Sequence, residues 1–208
     1  MPQIHASSPE NRAAAYSRTH RLTVTAMLSA VSTLLMFVDF SVPFMPSFIK
    51  LDISELPALL ASFSLGPWYG VAVCFVKNLI NTLRTSTGGV GELCNFLLGA
   101  IFVFIAGVVY KKFRHHKSRR GALIGSFIGA AAMAILSVPL NYYFTYPIYS
   151  AFMPIDAIVG MYQAIRPSVS GLLECLITFN MPFTFVKGLL DVGLCFLIYK
   201  PLSPLLHR

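Results

Sequence analysis

Five apolar runs, at 22–40, 56–83, 90–110, 121–147 and 172–199, govern what this chain can fold into. About 20 apolar residues in a helix cross the ~30 Å hydrocarbon core of a bilayer. Runs of this length specify an all-α integral membrane protein in one domain. Composition agrees, with 56% hydrophobic and only 12% charged residues. That excludes disorder, which needs low hydrophobicity. It also excludes a soluble nucleic-acid binder, despite a formal net charge of +8.

The basic residues number the crossings. Arg12, Arg18 and Arg21 precede the first run, Lys111, Lys112, Arg114, Lys117, Arg119 and Arg120 separate the third from the fourth, and Lys200 and Arg208 close the chain. The positive-inside rule puts all three groups in the cytoplasm. An even number of crossings must then lie between Arg21 and Lys111, so one of the first three runs crosses twice. The run at 56–83 is broken by Gly66-Pro67, and proline disfavours helix at its own N–H and at the residue before it. It divides into a short helix from about Glu55 to Leu65 and a second from Trp68 to about Arg84, joined by a cytoplasmic turn. Six transmembrane helices result, with both termini cytoplasmic. Residues 1–20 form a cytoplasmic tail without the apolar core of a cleaved signal peptide, and 21–208 form the membrane domain. The second helix would cover only about 16 Å. It is therefore tilted and re-entrant, or the segment before it also dips into the bilayer.

The first external loop, SVPFMPSFIKLDIS at 41–54, is unusually apolar. It reads as a lid over a pocket that opens outward, or as a loop packed against the bundle. Charged residues at bilayer depth face the bundle interior or a cavity. Lys187 lies in the last run, with Thr184 and Asp191 on its helix face. Lys187 and Asp191 form a structural pair, or Lys187 reaches a ligand. Lys77, Asn78, Asn81 and Arg84 make a polar stripe on the third helix, and Glu92, Asn95 and Gly99 share a face of the fourth. Both stripes suit a lined cavity or interhelical hydrogen bonding. Tyr142, Tyr143, Tyr146 and Tyr149 flank Asn141 and read as an interfacial aromatic belt or as a wall for a flat ligand. The inventory suits a neutral, flat molecule with an amide-like edge, since Asn donates and accepts while Lys only donates.

Other chemistries lack their motifs. The chain has no GxxxxGK[ST], no HExxH and no GxSxG. Its histidines lie outside the apolar runs, and its four cysteines, with no CxxC spacing, read as buried thiols. A small membrane enzyme or assembly factor stays open as an alternative without a catalytic constellation. Ala26 and Ala30 on the first helix, and Gly121, Gly125 and Gly129 on the fifth, are small-residue faces that permit close helix approach.

The stretches LDISELPALLASFSLGPWYGVAVCFVKNLINTL (51–83), GGVGELCNFLLGA (88–100), LNYY (140–143) and PFTFVKGLLD (182–191) carry a family resemblance. The chain resembles the riboflavin-specific substrate-binding (S) components, the RibU family, of the energy-coupling factor (ECF) transporters. The resemblance implies six helices, a capping first loop, and high-affinity binding of riboflavin, with FMN or another vitamin as alternatives. It implies no cofactor. It implies a transmembrane coupling subunit and two ATPase subunits as partners in the cell membrane, docked on an AxxxA face that Ala26 and Ala30 match. It implies ring contacts from Asn141 and Lys187. Thr184 stands where the family often has an asparagine, with Asn180 a turn earlier. Lys50 stands where the family often has a threonine, a cation suited to a phosphate. On this reading Phe44, Phe48 and Leu51 wall the dimethylbenzene end, and Asn81, Glu92 and Asn95 serve the ribityl hydroxyls.

Overall fold

The computed structural model describes residues 9–46, 49–85, 88–113, 119–151 and 153–206. Phe48, Arg114 and Lys117 lie outside them. The chain is helical almost throughout. It begins with α1 (Pro9–Phe37), then a two-residue ladder of β1 (Phe40–Ser41) and β2 (Lys50–Leu51). The strands pair antiparallel, Phe40 with Leu51 and Ser41 with Lys50, so the first loop is a closed hairpin. Next come α2 (Glu55–Ser64), α3 (Pro67–Asn81) and α4 (Val90–Lys112). After α5 (Arg119–Leu140) the helix widens into a π turn at Asn141–Thr145 and continues as α6 (Tyr146–Tyr149). A short α7 (Ile155–Gln163) precedes α8 (Leu172–Cys175), a second π turn at Leu176–Asn180, and α9 (Met181–Leu206).

Four described helical segments are long and apolar enough to cross a bilayer: Arg18–Phe37, Val90–Lys112, Arg120–Tyr149 and Leu172–Ile198. The protein is an all-α membrane protein. At 10 and 15 residues, α2 and α3 are each shorter than a crossing. The break between them is where the Gly66-Pro67 pair predicts it. Gly66 has φ 128°, a conformation that favours glycine, and Pro67 opens α3, where its missing N–H costs nothing.

An arc of α1, α3, α4, α5 and α9 packs in that order, and α2 fills its hollow, touching α1, α3, α4 and α9. Every residue from Glu55 to Phe63 is buried, as a helix apolar all round must be. Small residues let α2 in. A Cβ on Gly70 would lie 2.8 Å from the Ala58 carbonyl, and Ser62 hydrogen-bonds the Val103 carbonyl at 2.6 Å.

Two contacts fix the depth of α2. A Cβ on Gly66 would lie 3.1 Å from Lys111 Nζ, so the α2–α3 turn sits at the basic end of α4. A Cβ on Gly99, near the middle of α4, would lie 3.2 Å from Glu55 Oε1. Thus α2 starts beside the middle of α4, and the segment before it is buried too, at Asp52 and Ser54. The glycine row at 121, 125 and 129 is internal packing. Cβ atoms on Gly125 and Gly129 would meet the carbonyls of Ala106 and Phe102 at 2.7 and 2.6 Å, so α5 lies directly on α4.

Both π turns end two residues before a proline, Pro147 and Pro182. Proline removes one ladder hydrogen bond and its ring pushes the carbonyl four residues back. Those carbonyls belong to Tyr143 and Thr178, inside the two π turns. A widened turn accommodates the displaced group.

Candidate functional site

Where α2 begins, four segments bring their charges together. Lys187 Nζ of α9 lies 2.8 Å from Asp52 Oδ2 and 3.4 Å from Glu55 Oε2. Lys77 Nζ of α3 lies 2.7 Å from Glu55 Oε1 and also donates to Ser54 Oγ. The Ser54 backbone N–H donates to Asp52 Oδ1 at 3.0 Å, and its hydroxyl also donates to that oxygen. Ser32 of α1 donates to the Ser54 carbonyl. Glu55 stands in the first turn of α2, where the helix dipole favours an anion. Lys77 is wholly buried, and Lys187 retains 9% exposure. In a membrane domain such charges require each other, because an unpaired buried ion costs several kcal/mol.

Around this core the uncharged candidates form a second ring. Lys187 reaches Asn95 Oδ1 at 3.5 Å, and Asn95 donates to Asn78 Oδ1 at 3.0 Å. Asn141 opens the first π turn, is buried, and donates to the Ser137 carbonyl at 2.8 Å. Its Oδ1 accepts from Cys94 Sγ at 3.5 Å. Asn141 and Lys187 therefore meet α4 at adjacent residues, Cys94 and Asn95. Thr184 is half-buried one turn before Lys187.

Other candidates have different neighbours. Asn81 donates to Glu92 Oε1 at 3.3 Å and Thr85 to Glu92 Oε2 at 2.9 Å, so these residues tie the α3–α4 turn. A cavity of about 120 Å³ beside that turn is lined by Phe75, Asn78, Thr82, Glu92 and Phe96 among others. It lies on the α3–α4 flank, well below the ~300 Å³ at which drug-sized pockets begin. Lys50 is exposed and pairs with Asp39 at 2.9 Å. Leu51 is half-buried in the ladder, whereas Phe44 is 82% exposed at φ 67°. The loop instead packs through Ile49 onto the cluster around Tyr146 and Ile158. Ala26 and Ala30 are exposed on α1, beside Leu22, Met27 and Leu34.

Two expectations change. Lys187 and Asp191 are not a hydrogen-bonded pair: Asp52 and Glu55 take Lys187, and among the described residues neither Asp191 oxygen has a hydrogen-bond partner. Tyr142 and Tyr143 are exposed as a belt would be, but Tyr146 is buried. Its hydroxyl lies 2.8 Å from that of Tyr162, which donates to Asn180 Oδ1 at 2.7 Å. Sequence reasoning also missed Asp52 and Glu55 as site residues. The signal was present, since two lysines inside apolar runs require buried acids, and LDISE supplies two beside the second helix.

A bundle with a buried charged centre, reached by a hairpin loop from one end, defines a polytopic membrane protein built around an internal polar site. Residues 20–203 match the family described as ECF transporter, substrate-specific component, and the chain belongs to that family. It is 36% identical over 189 residues to the riboflavin transporter RibU of Staphylococcus aureus, covering 90% of this chain and 93% of that one. It is 30% identical to the riboflavin transporter FmnP of Bacillus subtilis, covering 92% and 96%. The solved structure of the S component of a bacterial ECF transporter superposes with a TM-score of 0.71 at 33% identity, covering 92% of this chain and 99% of that one.

Proposed function

We propose that this protein is the membrane riboflavin-binding subunit of an ATP-driven importer. Its relatives are named riboflavin transporters, and its family is that of substrate-specific components rather than enzymes. The observation that carries the reading is Lys187. It is a buried ammonium at half-depth, next to the amides of Asn95 and, through α4, Asn141. The pyrimidine edge of the flavin ring presents two carbonyls flanking an N–H. Lys187 donates to one carbonyl, and Asn141 offers both a donor and an acceptor to the rest of the edge.

Access is from the end carrying the hairpin loop, which acts as the lid. Asp52 continues directly from β2 and holds Lys187, so a movement of the loop reaches the ring-binding lysine. In the membrane α2 and α3 together supply two crossings, giving six, with the tail and C-terminus cytoplasmic in the cell membrane. The α2–α3 turn beside Lys111 supports that count. The exposed Ala26 and Ala30 face receives the coupling subunit, and two ATPase subunits drive it. Riboflavin is favoured over FMN because Lys50, the loop cation suited to a phosphate, is already neutralised by Asp39.

Purification in detergent followed by fluorescence titration tests the reading. The expected result is a yellow preparation, or quenching of riboflavin fluorescence at one-to-one stoichiometry, with FMN weaker. A colourless protein that leaves riboflavin fluorescence unchanged overturns it.

A further inference from the structure

Asp191 is the member of the buried cluster that flavin binding does not use. Among the described residues, three carboxylates (Asp52, Glu55, Asp191) and two ammonium groups (Lys77, Lys187) share the cluster. Lys187 is held by Asp52 at 2.8 Å and Glu55 at 3.4 Å, and Lys77 by Glu55 at 2.7 Å. Both cations are thus engaged by two of the three acids. Asp191 is 1% exposed, and among the described residues neither of its oxygens has a hydrogen-bond partner.

The groups that face it come from every packed element with an ionisable side chain there. Lys187 and Cys195 lie on α9 itself, Asp52 on the segment after β2, Glu55 on α2, and Lys77 and Cys74 on α3. One turn before Asp191, Gly188 of α9 faces Ala130 and Met133 of α5, an apolar contact. Among the described residues a carboxylate in this position has no hydrogen-bond donor, and it adds a third negative charge to a centre holding two positive ones. Burying an unpaired charge is so costly that the group neutralises instead. A bound metal ion would need several oxygen ligands at short range, and here the nearby carboxylates already serve the lysines.

We propose that Asp191 is a proton-binding site, neutral in the resting protein, and that its neutrality leaves Lys187 to Asp52 and to the ligand. Lys187 and Asp191 are one helical turn apart on the same face. An ionised Asp191 would compete with Asp52 for the ammonium and draw it along α9, away from Asn95. The bound proton therefore sets which acid the ring-binding lysine serves. This goes beyond the transport reading, and its first test needs no flavin.

The test is infrared spectroscopy of the full chain in lipid vesicles at neutral pH, for wild type and Asp191→Asn. The wild type should show the carbonyl stretch of a protonated carboxylic acid, shifted in heavy water, and Asp191→Asn should lack it. A wild-type spectrum without such a band overturns the proposal even if the variant fails to fold. A band that persists unchanged in the variant overturns it too. Riboflavin titration is the second arm. Asparagine imitates the neutral acid, so affinity should stay within about twofold of wild type. A loss beyond about tenfold would mean that the negative charge is required, and the proposal fails. If wild type itself ignores riboflavin, the functional reading fails while the infrared arm still decides the proton.

Discussion

Two clusters bury polar groups in this molecule, and they are built in opposite ways. The cluster of Asp52, Glu55, Lys77 and Lys187 is ionic and joins the loop segment, α2, α3 and α9. The cluster of Tyr146, Tyr162 and Asn180 is neutral and joins α6, α7 and the second π turn. The ionic cluster is not closed, for beside it Asp191 has no hydrogen-bond partner among the described residues and Lys187 reaches Asn95 only at 3.5 Å. The neutral cluster is closed: each member bonds the other two. Burial, and then the neighbouring Tyr146, push the Tyr162 phenol well above the ordinary tyrosine range, so it remains a donor at any physiological pH. An open set of strong partners can exchange one of them for a ligand edge. A closed set of neutral partners is a scaffold.

The largest effect should come from breaking the ionic cluster at its most buried member. Lys77→Met leaves Glu55 without its closest cation inside the bundle. Removing one partner of a buried pair costs about 3–5 kcal/mol, so thermal unfolding in detergent should fall steeply. Adding Glu55→Gln should recover most of the loss, since a neutral pair in the same space avoids the stranded charge. A single variant as stable as wild type would mean that the cluster is hydrated and the contrast with the tyrosines is false.

Lys187→Ala comes next, and it separates holding the fold from holding the ligand. Riboflavin affinity should drop by at least about tenfold, or about 1.4 kcal/mol. The variant also strands Asp52, so the sharper comparison pairs it with Asp52→Asn. The double variant should regain stability without regaining affinity. Recovery of both would make Lys187 a structural partner only.

How far the sequence reached follows the same division. Helix boundaries set by backbone chemistry were legible, as at Gly66-Pro67, where a proline and a positive φ leave little choice. The position of Lys187 within the last apolar run made its burial in the bundle legible too. Partner choice was not legible. Helical spacing offers Asp191 to Lys187, but spacing within one helix says nothing about an acid delivered by a distant loop, 135 residues away in sequence. The same limit applies to Tyr146. Its neighbours Tyr142 and Tyr143 behave as an exposed belt, while the π turn changes the helical phase after Asn141 and turns Tyr146 inward. Periodicity arguments assume 3.6 residues per turn and fail where a proline forces a wider one.

Tyr162→Phe gives the smallest effect and decides whether the neutral cluster is scaffold or site. The change keeps the ring and removes one hydroxyl, which donates to Asn180 and lies 2.8 Å from the Tyr146 hydroxyl. Tyr146 and Asn180 still face each other at 3.5 Å, so they can close part of the gap. A neutral hydrogen bond contributes about 1 kcal/mol net, and stability should fall by about that amount. Riboflavin affinity should change by less than about threefold, a fraction of a tenfold step. The dissociation rate measures the same point more finely, because α7 packs on the cluster that also receives Ile49 of the first loop. An unchanged rate leaves the tyrosines as scaffold. A loss of affinity equal to that of Lys187→Ala would extend the binding site to the second π turn and make Asn180, rather than Thr184, the ring contact before Lys187.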